Sequence, residues 1–174
     1  MLTVAPQGPI RTPIGGGAYG YGWFPITGGA GTLDRASFDS ASRGLEEFLD
    51  AAATRYPIDP ARSFVLGFSQ GGVMAYHLAL RHPERFAGLA ALSSWLPPEL
   101  ARAYPAMPAH AQLRTLVQHG SQDPMIPVER ARESAELVRE LGGPVTLRDY
   151  PIGHEISGPS LADLNTWLAG GKIE

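Results

Sequence analysis

Residues 63–72 read Ser63-Phe64-Val65-Leu66-Gly67-Phe68-Ser69-Gln70-Gly71-Gly72, and Val73 to Leu80 follow at helical spacing until His82-Pro83 closes them. The run 63–67 is too brief for a buried helix and ends on glycine, so it reads as a buried strand. Strand, sharp turn and helix follow one another without a linker. That succession is the unit from which parallel sheets are built, and it points to an α/β fold.

The same alternation continues outward. Phe86 to Leu92, Leu113 to Gln118 and Val145 to Tyr150 are further apolar runs, with the amphipathic series Val128, Ala131, Ala135, Val138 and Leu141 between the last two. A final helix over about 159–169 sets Leu161, Leu164 and Leu168 on one face. Upstream, Phe38, Ala41, Leu45, Phe48, Leu49 and Ala52 predict a helix over about 37–55, punctuated by Tyr56-Pro57 and Asp59-Pro60. Before it lie a short apolar start, Leu2 to Ala5, and a glycine-rich stretch whose Gly15-Gly16-Gly17 reads as a flexible rim loop. The expectation is one domain over 1–174. Its mostly parallel sheet is joined by right-handed crossovers, with helices on both faces.

Composition narrows the chemistry. The 174 residues contain no cysteine, which excludes a disulfide scaffold, cysteine-ligated zinc, iron–sulfur clusters and a thiol nucleophile. Lys+Arg 14 against Asp+Glu 17 gives a formal charge of −3, which offers no footprint for nucleic acid. No apolar run approaches the length of a membrane helix, and the N-terminus lacks a signal-peptide pattern. Small neutral partners, no stable membrane insertion and a cytoplasmic location are therefore expected. Gly15-Gly16-Gly17 lacks the Lys-Ser/Thr of a phosphate loop, and no His/Asp/Glu cluster has metal-ligand spacing, so neither cofactor nor metal is expected.

In an open α/β sheet, ligands bind at the carboxyl ends of the strands, which draws attention to the residues just after each run. Ser69, Asp123 and His154 stand there. Gly67-Phe68-Ser69-Gln70-Gly71 has the Gly-x-Ser-x-Gly spacing of a nucleophile elbow, in which a tight turn lifts the serine hydroxyl above the sheet. A serine hydroxyl needs a base, and the base needs a group to orient its ring. His154 and Asp123 suit those roles, in the chain order Ser, acid, His. Asp149 competes for the acid's place, although strand alternation aims it across the sheet. His77, His82, His110 and His119 read as helix, helix-end, loop and strand-end residues. The backbone N–H of Gln70, at the positive end of a helix, would be one oxyanion donor, and the sequence does not reveal the second. Trp95, after the run that follows the elbow, could wall a pocket.

At these three segments the sequence resembles the phospholipase/carboxylesterase family of α/β-hydrolases, small bacterial esterases with acyl-protein thioesterase relatives. The likeness runs from about residue 2 to 169. It is carried by Gly67–Gly72, the His119-Gly120 turn leading to Asp123, and Gly153-His154-Glu155-Ile156; Trp23-Phe24 resembles the family's aromatic pair beside the acyl pocket. The resemblance implies an α/β-hydrolase fold without a lid domain. It also implies N-terminal truncation: the strand and His-Gly loop that supply the other oxyanion donor are missing, and Leu2 to Ala5 resembles the strand that follows them. Edges exposed beside such a gap would favour a homodimer. The implied activity is cofactor-free hydrolysis of small carboxylic esters with short- to medium-chain acyl groups, through an acyl-enzyme on Ser69. Two alternatives stay open: acyl-protein thioesterase or lysophospholipase activity, and a non-catalytic fragment or pseudo-hydrolase.

Overall fold

The glycine triplet closes a hairpin. The computed structural model describes residues 2–25 and 33–173, and in it strand β1 (Ile10–Gly15) pairs antiparallel with β2 (Ala18–Gly22). Gly15, Gly16 and Gly17 have φ of 94°, 58° and 78°. Positive φ at both central positions of a two-residue turn matches the right-handed twist of the flanking strands, so these glycines fix a turn where a mobile rim was expected. Leu2 to Ala5 forms no strand, because no described segment offers it a ladder of hydrogen bonds. Helix α1 (Arg35–Arg55) opens on Asp34, whose carboxylate accepts the Ser37 amide at 2.9 Å, and it buries Phe38, Ala41 and Leu45. The helix ends at Tyr56, held extended by Pro57.

These elements make up one compact unit, Met1–Pro57, and Ile58–Glu174 makes up a second. Within the second, strand β3 (Phe64–Phe68) enters helix α2 (Gln70–Arg81), followed by β4 (Gly88–Leu92) and a short α3 (Pro98–Ala101). Then come β5 (Arg114–Gly120), α4 (Val128–Glu140), β6 (Val145–Tyr150) and α5 (Gly158–Leu168). The four strands form one sheet in the order β3-β4-β5-β6, every pair parallel. Phe68 sits opposite Leu92, Leu92 opposite Gln118 and Gly120 opposite Tyr150, so the carboxyl ends share one edge.

The two faces of this sheet are filled differently. Phe64 and Phe68 of β3, Ala90 and Leu92 of β4, and Leu116 of β5 pack with Leu164 and Trp167 of α5. Residues of opposite parity point the other way, as strand geometry requires, and there α2 lies against β3 and β4. Nine consecutive residues of α2, Gly72 to Leu80, are buried, which fits a helix with a near-continuous apolar sequence. Leu66, on the same face as Phe64 and Phe68, is 51 % exposed, on the outermost strand of the sheet. No described helix is long and apolar enough to cross a membrane.

Candidate active site

Ser69 stands between β3 and α2 with φ 53° and ψ −124°, a conformation rare for a residue with a side chain. The surroundings hold it there. Its amide donates to the Leu92 carbonyl at 3.0 Å, and its carbonyl accepts the Gly72 amide at 2.9 Å and the Ser94 hydroxyl at 2.8 Å. A Cβ on Gly67 would overlap the Gly71 backbone, so the turn is as tight as the elbow reading demands. Gln70 is the first residue of α2, where amides point out along the helix axis toward an approaching anion.

Asp123 follows β5, and its side chain is wholly buried. Its Oδ1 accepts the amides of Met125 at 2.8 Å and Ile126 at 2.9 Å, and its Oδ2 accepts the Nδ1–H of His154 at 2.7 Å. Burial pushes this carboxyl up. The Ile126 amide, the His154 ring and the Met125 amide together outweigh that push and hold it below the ordinary carboxylate value. With the Nδ1 proton engaged, Nε2 is the nitrogen of His154 left to act as a base.

His154 lies beyond β6, three strand spacings or about 14 Å from β3. Its loop therefore has to return across the carboxyl edge. It does so over Gly120, where a Cβ would overlap the carbonyls of Ile152 and Gly153. The imidazole ends 4.8 Å, centroid to centroid, from the ring of Phe68, the residue directly before Ser69. The structure thus brings Asp123 and His154 together and sets the imidazole beside the elbow.

The competing groups are occupied elsewhere. Asp149 pairs with Arg132 at 2.6 Å on the surface. His77 Nδ1 is 2.6 Å from the Tyr104 hydroxyl, His110 Nε2 is 2.9 Å from the Leu80 carbonyl, and His82 lies 3.8 Å from Glu84. Trp95 is buried just after Ser94. Trp23 is half-buried, and Phe24 is buried edge-on against Phe38 at 6.0 Å, both in the first unit. Sequence reasoning missed Ser94 as a brace of the elbow and His119 as a neighbour of Asp123, from which its Nε2 is 3.3 Å. The sequence held a signal for the second: a histidine ending an apolar strand four residues before the acid. Among the described residues no group of three His, Asp or Glu could hold a metal ion.

A family model described as Phospholipase/Carboxylesterase matches residues 2–170. Acyl-protein thioesterase 1 of Gibberella zeae is 31 % identical over 182 aligned residues, covering 97 % of this chain and 74 % of the relative. Carboxylesterase SOBER1 of Arabidopsis thaliana is 27 % identical, covering 97 % and 75 %. The crystal structure of a carboxylesterase from Mesorhizobium loti superposes with a TM-score of 0.80 at 26 % identity, covering 94 % of this chain and 73 % of that one. Against the sequence relatives matched over nearly its whole extent, the chain spans 65–75 % of their length.

Proposed function

The chain belongs to the phospholipase/carboxylesterase family of α/β-hydrolases, and from that premise we propose that it is a serine hydrolase of carboxylic esters. Ser69 is the nucleophile, His154 the general base and then acid, and Asp123 the group that orients the imidazole. The carrying observation is the 2.7 Å contact between His154 and Asp123, with the His154 ring packed on Phe68 beside a serine at φ 53°.

In this reading Nε2 of His154 takes the proton of the Ser69 hydroxyl as its oxygen attacks the ester carbonyl carbon. The carboxylate of Asp123 stabilises the imidazolium that forms, and the Gln70 amide donates to the oxyanion. His154 then protonates the departing alcohol, leaving an acyl-enzyme that water hydrolyses by the same steps in reverse order. No cofactor takes part. Short to medium acyl groups are the substrates we assign, with Trp95 against them; the acyl-binding role of Trp23 and Phe24 rests on the family resemblance alone. The family match spans both units, which supports reading residues 1–174 as one hydrolase domain.

Ser69→Ala removes the nucleophile. It is expected to abolish both the burst of p-nitrophenol from a short-chain ester and covalent labelling by a fluorophosphonate. A burst that survives would take Ser69 out of the role, and absence of labelling in the unaltered chain would favour a non-catalytic protein. A second reading, thioester cleavage by the same residues, is favoured by the likeness to acyl-protein thioesterase 1. Relative kcat/KM on a simple ester, a thioester and a lysophospholipid decides between them.

A further inference from the structure

Asp123 has a second histidine against it, to which the catalytic steps give no task. His119 lies in β5, 1 % exposed. Its Nε2 is 2.8 Å from the Ile126 carbonyl and 3.3 Å from Oδ2 of Asp123. Both neighbours are acceptors, so Nε2 carries the proton. Nδ1 is buried and has no hydrogen-bond partner among the described residues, so the tautomer is fixed and that nitrogen is bare. An unsatisfied buried nitrogen costs stability that an apolar side chain of similar volume would not. The ring is therefore more than core filling.

Its position suggests what it does. By donating to the Ile126 carbonyl, His119 closes the turn whose Met125 and Ile126 amides fix Oδ1 of Asp123. The same N–H edge faces Oδ2, the oxygen that meets His154. We propose that His119 is a positioning residue of the site, holding the Asp123 carboxylate at the angle from which Oδ2 orients His154. The proposal rests on the reading of Asp123 and His154 as acid and base. Tyr150 and Glu155 line one small cavity with His119. Tyr150 spends its hydroxyl on Gln118 and Asp163, and Asp163 faces Arg148 at 3.8 Å.

The test compares His119→Leu, which removes the donor, with His119→Gln, whose amide N–H can occupy the place of Nε2–H. The hydrogen-bonded His154 Nδ1–H resonance is followed by NMR in the full chain. With Asp123 no longer held at that angle, its contact with His154 loosens, so His119→Leu is expected to move this resonance upfield and broaden it, with His119→Gln close to the parent. A resonance unmoved in the Leu variant, or moved as far in the Gln variant, would overturn the proposal. In turnover, kcat should fall about tenfold in the Leu variant with KM little changed, and recover in the Gln variant. Should His119→Leu fail to fold, the ¹⁵N shifts of the parent ring decide: an Nε2–H tautomer supports the role and an Nδ1–H tautomer refutes it. The NMR readouts need no turnover. Failure of this proposal is thus distinct from failure of the esterase reading, which Ser69→Ala tests.

Discussion

At Ser69 the backbone stores strain, because φ 53° crowds Cβ against the chain and costs on the order of 1–3 kcal/mol for a residue with a side chain. Glycine would relieve it. Ser69→Ala keeps Cβ and hence the strain, whereas Ser69→Gly removes both, and neither retains the hydroxyl. We therefore expect Ser69→Gly to be more stable than Ser69→Ala by about 1 kcal/mol in urea unfolding, the relief exceeding glycine's extra entropy in the unfolded chain. Equal midpoints, or alanine the more stable, would mean that the elbow is relaxed and that its geometry needs no bracing from Ser94 and Leu92.

Among the elements, α5 covers one face of the sheet with Leu164, Trp167 and Leu168, of which Trp167 is the largest. Its ring meets Phe64 edge-on at 5.6 Å and lies under the Arg114 guanidinium at 4.7 Å, while Arg114 also donates to the Trp167 carbonyl at 2.7 Å. Trp167→Ala should cost about 3–5 kcal/mol, and Trp167→Phe distinctly less, as read by urea denaturation. A loss under about 1 kcal/mol in the alanine variant would mean that α5 is dispensable to the core. The elements most legible in the sequence are the strands of the parallel sheet: β6 spans 145–150 as the run Val145 to Tyr150 predicts, and Ser69 falls at the turn after β3. The start of α2 was less legible, because Gln70-Gly71-Gly72 carries no apolar period and the helix begins at Gln70, before the series Val73 to Leu80. The hairpin was missed for a related reason. Its alternation, which sets Tyr19 and Tyr21 opposite Pro13 and Arg11, is short, and three glycines read as freedom although their positive φ values specify a turn. The pairing of Asp123 with His154 was legible only as order along the chain. Strand alternation already aims Asp149 away from Asp123's position, whereas its partner Arg132, 17 positions back in the chain, is not legible in the sequence.

For the molecule as a whole, the most direct consequence of the site is acid sensitivity. Asp123 is held below its ordinary value because its amide and imidazole donors outweigh its burial. A carboxyl whose folded value lies below its unfolded one stabilises the fold fully above the unfolded value, about pH 4, and that contribution is lost as pH falls through the folded value. Asp123→Asn removes the titration and, at neutral pH, the charge-assisted bond to His154. The parent should therefore be the more stable at pH 7, by about 1–3 kcal/mol, and the gap should close as pH falls below about 4, where the parent's Asp123 also becomes neutral. Activity follows a different course. The variant should be nearly inactive at pH 7, since an amide cannot stabilise an imidazolium, whereas the stability gap depends on protonation of one side chain. Urea unfolding of both proteins between pH 7 and pH 3 measures that gap directly, and a difference that stays constant across this range would show that the Asp123 carboxyl does not couple protonation to folding.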